Sequence, residues 1–215
     1  MSLLETYIVL SIIRLVAGFS ILKWPLFGLF ASIFIDVYDF NFLPFANNGE
    51  REAYQLWDKI FDIYYLAIAA FTSLSWKDQL ARKIAVSSFL YRLTGAILFP
   101  LIGNRSLLIF FPNFFENFFI FYLLFVRLTK KQKLFTSRIS VFIIIVALLI
   151  PSILREYFMH VLKKPPWRVY DIAQNLDIQK WAPFGIDLSY LIWILILLSL
   201  PLTALIWQVK KVKSR

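Results

Sequence analysis

Seven stretches of this chain are candidates to cross a lipid bilayer: 6–23, 24–43, 55–76, 84–103, 106–128, 139–161 and 185–208. A membrane-crossing helix needs about 20 consecutive, mostly apolar residues. Inside hydrocarbon no water is available to the backbone, so such runs must satisfy their own amides as helices. The second stretch, WPLFGLFASIFIDVYDFNFL, carries Asp36 and Asp39 and reads either as a span or as a re-entrant or interfacial piece. The sequence therefore predicts an all-α, polytopic transmembrane helix bundle of six or seven membrane helices, one integral membrane domain over 1–215.

Composition excludes the other classes. Of the 215 residues 60% are hydrophobic and 17% charged, whereas a soluble domain carries about a quarter charged residues to cover its core. Disordered chains lack apolar residues, so disorder is excluded from the opposite side. With Cys 0 there is no disulfide, thiolate metal site or cysteine nucleophile. No phosphate-binding loop, zinc-binding His-Glu-x-x-His helix or serine-hydrolase elbow occurs either.

The 23 basic residues outnumber the 13 acidic ones, but the excess sits in short runs between apolar segments, such as Lys130, Lys131, Lys133 and Arg138, and Lys210, Lys211, Lys213 and Arg215. That placement suits anionic lipid head groups and topology control, and membrane lipids rather than nucleic acid are the expected partners. Basic residues accumulate on the cytoplasmic side of a plasma-membrane-type bilayer. With 77–83, 127–138 and the tail inside, a seven-helix arrangement places the N-terminus outside and the C-terminus inside. The outer connections are then the acidic 44–54, the short 103–105 and 162–184, although 162–184 opposes the rule with Lys163, Lys164, Arg168 and Lys180. Apolar residues near helical spacing, flanked by Trp167 and Trp181, make 162–184 an interfacial loop or helix. No Lys or Arg precedes the first span and no small-residue cleavage site follows it, so that helix is expected to remain in the mature protein.

Ionisable groups inside hydrocarbon are costly, and each one marks a candidate function. Asp36 and Asp39 are three apart, and Asp58 and Asp62 four apart, so each pair shares a helix face. Pro44, Asn47, Asn48 and Gly49 offer turn chemistry between them, which predicts that both pairs stand at one depth. Four carboxylates so close need a divalent cation, basic partners or protons. Oxygen-only ligation favours Mg2+, Mn2+ or Ca2+ over zinc. The alternative is four partly solvated head-group carboxylates, two of them paired with Arg51 and Lys59, and Arg14 is placed to snorkel or to pair with one of the four.

The order Asp36-x-x-Asp39, a connection, then Asp58-x-x-x-Asp62 resembles the CDP-alcohol phosphotransferases, whose signature is D-x-x-D-G-x-x-A-R, eight residues, then G-x-x-x-D-x-x-x-D. The resemblance covers residues 36–62. It implies Asp36, Asp39 and Asp58 as metal ligands, Asp62 as the base on the incoming alcohol, and Mg2+ or Mn2+ as cofactor. Phe40, Leu43-Pro44 and Tyr54 stand where that family has glycine, Ala-Arg and glycine, and the connection is one residue longer.

A second constellation lies deeper. Arg92 is near the middle of the fourth span, while Asn113, Glu116 and Asn117 are expected on one face of the fifth. In a tight hairpin of these spans Arg92 and Glu116 form an ion pair, serving either as a structural lock or as the floor of a polar cavity. His160 reads as an interfacial histidine and Asp187 as a helix cap; the 23 Phe read mostly as lipid-facing bulk and packing. Together these features point to an acidic, cation-binding site near one membrane face, acting on a lipid or lipid-linked phosphate by phosphatidyl or phosphoryl transfer. A small ion- or proton-coupled carrier and a non-catalytic assembly partner fit the same residues.

Overall fold

The computed structural model describes residues 3–42, 48–103, 105–157 and 188–214. His160, the segment 162–184 and Asp187 lie outside them. Every element among the described residues is helical: α1 (Leu3–Lys23), α2 (Pro25–Tyr38), a 3₁₀ turn (Asp39–Phe42), α3 (Asn48–Ser73), α4 (Gln79–Ile102), a second 3₁₀ turn (Arg105–Ile109), α5 (Phe114–Thr129), α6 (Arg138–Glu156) and α7 (Leu188–Lys213). The chain divides into two compact units, Met1–Leu101 and Ile102–Arg215.

The helices are arranged with their polar side inward. On α1 the inward residues are Thr6, Leu10, Arg14, Ala17, Gly18 and Ile21, while Ile8, Val9, Ile12, Ile13, Val16 and Phe19 face outward. On α6, Ser140, Ser152 and Glu156 are buried and Ile139, Phe142, Ile150 and Ile153 exposed. A helix on a water-soluble domain shows the reverse, with its apolar stripe against the core. Among the described residues four helical stretches are long and apolar enough to cross a membrane: Leu3–Lys23, Gln79–Ile102, Ser106–Thr129 (the second 3₁₀ turn taken together with α5) and Arg138–Glu156. The chain is thus an all-helical membrane protein.

In the first unit α1 packs against both α2 and α3, and α2 also touches α3. The chain reverses at Trp24, where Pro25 opens α2; proline suits that first helical position because its missing N–H would have no partner there. The α1–α2 hairpin closes tightly because residue 28 is glycine. A Cβ on Gly28 would collide with the Ile21 backbone, standing 2.8 Å from its Cα. Of the doubtful second stretch, only Pro25–Tyr38 is α-helix, 14 residues long and shorter than a full span. The segment 44–54, expected as an outer connection, is already helical from Asn48 onward. Glu50, Arg51, Glu52 and Ala53 all favour helix, which lets α3 begin before the apolar run does.

In the second unit α5, α6 and α7 pack pairwise. Here the phenylalanines are core rather than coat: Phe115, Phe118, Phe119 and Phe125 of α5 are fully buried. Pro112 shapes the entry to α5. It cannot donate a backbone hydrogen bond, and the helix starts only after it, with Asn113 as the N-cap. Asn113 therefore precedes the helix instead of sharing a face within it. At the other end Lys130 closes α5 in the left-handed conformation, φ 59°.

Gly28→Ala is expected to lower stability by about 1–3 kcal/mol, the usual cost of overpacking a close contact. A thermal midpoint measured in detergent checks this, and an unchanged midpoint would count against the tight turn.

Candidate functional site

The hairpin register decides what meets what. Arg14 and Asp36 lie eleven residues either side of Pro25, which at 1.5 Å per residue puts both about 16 Å from the turn. Opposite them α3 brings Asp58 and Asp62, one helical turn apart, and the first 3₁₀ turn brings Asp39. All four carboxylates converge on the Arg14 guanidinium. Its Nη1 donates to Asp39 Oδ2 at 2.5 Å and to Asp58 Oδ1 at 3.0 Å; its Nη2 donates to Asp36 Oδ1 and, at 3.4 Å, to Asp62 Oδ1. The guanidinium also lies over the rings of Trp57 and Phe61, 5.1 and 5.3 Å from their centroids, where ring quadrupoles favour a cation.

Lys59 adds a second cation. Its Nζ is 2.6 Å from Asp62 Oδ2 and 3.2 Å from Asp58 Oδ2. Four ionised carboxylates against Arg14 and Lys59 leave two negative charges among groups in direct contact. Arg92, buried on α4, is near enough to Lys59 for the two charges to act on each other.

The carboxylates are not equivalent. The Asp39 side chain is sealed at 0% exposure, and both of its oxygens are engaged, Oδ2 by Arg14 and Oδ1 by the Tyr54 hydroxyl at 2.6 Å. Asp36, Asp58 and Asp62 keep 26, 18 and 14% of their side-chain surface. One oxygen from each of these three lies within 4.8 Å of the others. Like charges at that spacing repel one another, and Arg14 and Lys59 stand among them. Of the residues expected to hold metal, Asp36 and Asp58 belong to this trio together with Asp62, while Asp39 serves Arg14 and Tyr54.

Two site residues were not legible beforehand. Tyr54 stood only as a missing glycine, and Trp57 as an apolar residue. Their spacing held the signal, since Tyr54, Asp58 and Asp62 recur every four residues along one helix face. Trp57 is fixed by its Nε1, which donates to Ser11 Oγ at 3.0 Å, and α3 is further tied to α1 by Tyr64 OH donating to Leu15 O at 3.0 Å.

The second unit carries its own polar cluster, which contains Asn113, Glu116 and Asn117. Asn113 Oδ1 accepts from the Glu116 backbone N–H, and Asn113 Nδ2 donates to Glu116 Oε2 at 2.9 Å. Asn113 thus caps the Glu116 amide and holds its carboxylate at the first turn of the helix. Arg155 stands beside Glu116, its Nη1 2.8 Å from Oε1. Asn117 Nδ2 donates to Ser152 Oγ at 2.7 Å, and Glu156 Oε1 accepts from the Asn113 N–H at 3.3 Å. These contacts join α5 to α6.

No protein-family model, curated protein or solved structure matches the chain.

Tyr54→Phe removes a hydrogen bond to a charged group and is expected to cost about 1.5–3 kcal/mol, read as a lower thermal midpoint. For the second unit, Glu116→Leu and Arg155→Leu are each expected to destabilise by about 3–5 kcal/mol through the charge left behind, and the double change by much less. Additive losses in a double-mutant cycle would show that the two groups do not act as a pair.

Proposed function

We propose that the first unit is a divalent-cation site inside the membrane, held by Asp36, Asp58 and Asp62, and that it acts on a phosphate-bearing lipid or lipid-linked substrate. The observation that carries this reading is the approach of those three carboxylates within 4.8 Å, beside a fourth carboxylate. The donor set is oxygen only, which suits Mg2+, Mn2+ or Ca2+. A cation held there would neutralise phosphate charge during phosphatidyl or phosphoryl transfer. Asp62 is the base in this proposal, and Asp39 with Tyr54 positions Arg14. The likeness of the Asp36–Asp62 spacing to the CDP-alcohol phosphotransferases supports the same chemistry.

In this proposal the bundle has six or seven membrane helices, with α3 and α7 counted beside the four that are apolar and long enough to span. The basic 127–138 segment and the basic tail support a cytoplasmic C-terminus in a plasma-membrane-type bilayer in this reading.

A second reading draws on Arg14 itself. A guanidinium at the centre of the carboxylates is a tethered counter-cation, and a transported ion or proton that exchanges with it would make the unit a small coupled carrier.

Mn2+ binding to the purified chain, followed by electron paramagnetic resonance and by thermal midpoint, separates the two. The transferase reading expects Mn2+ to raise the midpoint in the wild type, with Asp58→Asn/Asp62→Asn abolishing the effect. A wild type indifferent to Mn2+, Mg2+ and Ca2+ would remove the metal site and leave the carrier reading.

A further inference from the structure

The strongest uncompensated charge on the molecule lies in the second unit. Segments 127–138 and 205–215 contain nine basic residues and no acidic one. The fold brings them together. Lys131 Nζ donates to Val212 O at 2.8 Å, and Lys211 Nζ reaches back to Ser137 Oγ and Ser140 Oγ at 3.2 and 3.0 Å. Gln208 Nε2 also donates to Leu134 O. Arg127, Lys130, Lys131, Lys133, Arg138, Lys210 and Lys213 are exposed around this seam. Like charges gathered so closely repel one another, and an anion that enters among them is attracted by all of them.

The depth of the seam indicates which anion. Lys211 Nζ lies 4.5 Å from the Trp207 ring centroid, and tryptophan marks the boundary between acyl chains and water. Immediately before Trp207, Ile206 and Leu202 are exposed apolar residues of α7. Leu202, Ile206 and Lys210 follow one another at four-residue spacing, so this exposed face of α7 runs from acyl-chain contact to a cation beside the seam in about two helical turns. That order matches a phospholipid from tail to phosphate.

We propose that the seam formed by Lys131, Arg138 and Lys211 beside the Ser137 hydroxyl is a binding site for the headgroup phosphate of an anionic phospholipid. The lipid tails lie along the Leu202–Ile206 face of α7. Lys211 is half-buried and already positioned by its two serines, so little side-chain freedom is lost when the phosphate arrives. This site is separate from the acidic cluster and does not depend on the activity proposed for it.

The test is equilibrium binding of dioctanoyl phosphatidic acid to the full chain in neutral detergent. Dioctanoyl phosphatidylcholine and inorganic phosphate serve as competitors. A basic residue at the membrane surface contributes about fivefold to binding of anionic lipid. Lys131→Gln/Arg138→Gln should therefore weaken binding about 25-fold, and adding Lys211→Gln about 100-fold. Both residues of the double variant are exposed, so it tests the site even if the triple variant does not fold. Lys77→Gln/Lys83→Gln, in the first unit, should leave binding unchanged. The proposal is overturned if phosphatidylcholine competes as well as phosphatidic acid. It is equally overturned if inorganic phosphate displaces the lipid at matched concentration, or if the Lys77/Lys83 variant loses as much as the seam variants.

Discussion

Arg14 is the group on which the first unit depends. A guanidinium inside a helical membrane bundle is tolerable only where counter-charges and hydrogen-bond acceptors surround it. Four carboxylates are equally intolerable without a cation. Each side of the cluster removes the penalty of the other, and neither α1, α2 nor α3 carries a balanced set alone. The three helices therefore need one another for electrostatic reasons as much as for packing. Close steric fit at Gly28 and the aromatic wall of Trp57 and Phe61 set the geometry in which this exchange works.

The second unit solves a similar problem by different means. Its buried carboxylate Glu116 is joined to Arg155 and to the Asn113 cap, so the start of α5 and the end of α6 are fastened by polar contacts. Between those contacts and the basic end lies a core of stacked phenylalanines. Polar groups thus occupy the ends of this unit and aromatic packing its middle. In the first unit the polar groups are gathered in one cluster, about 16 Å from the Trp24 turn. That difference is the physical reason for placing chemistry in the first unit and lipid contact in the second.

Much of this was legible beforehand, and the exceptions have local causes. Apolar runs and missing counter-charge announced a helical membrane protein. The three- and four-residue spacing of the aspartates announced that each pair shares a face. What Arg14 does was hidden because it depends on a hairpin register, although its equal distance with Asp36 from Pro25 records that register in the sequence. Helical periodicity placed Asn113 within a helix, but Pro112 forces the helix to begin one residue later. Arg155 reaches Glu116 from 39 residues away, a pairing that helix packing determines and spacing alone does not reveal. Tyr54 was obscured because the segment before it reads as a polar connection, while its helix formers extend α3 through it.

Charge rescue at Arg14 tests the central claim most directly. Replacing Arg14 with methionine keeps the bulk of the side chain and leaves the four carboxylates without the cation at their centre. If Arg14 is the hub, the thermal midpoint of that variant collapses, and adding Asp39→Asn to the same chain recovers part of the loss. An Arg14→Met protein as stable as the wild type, or one that Asp39→Asn weakens further, would contradict it.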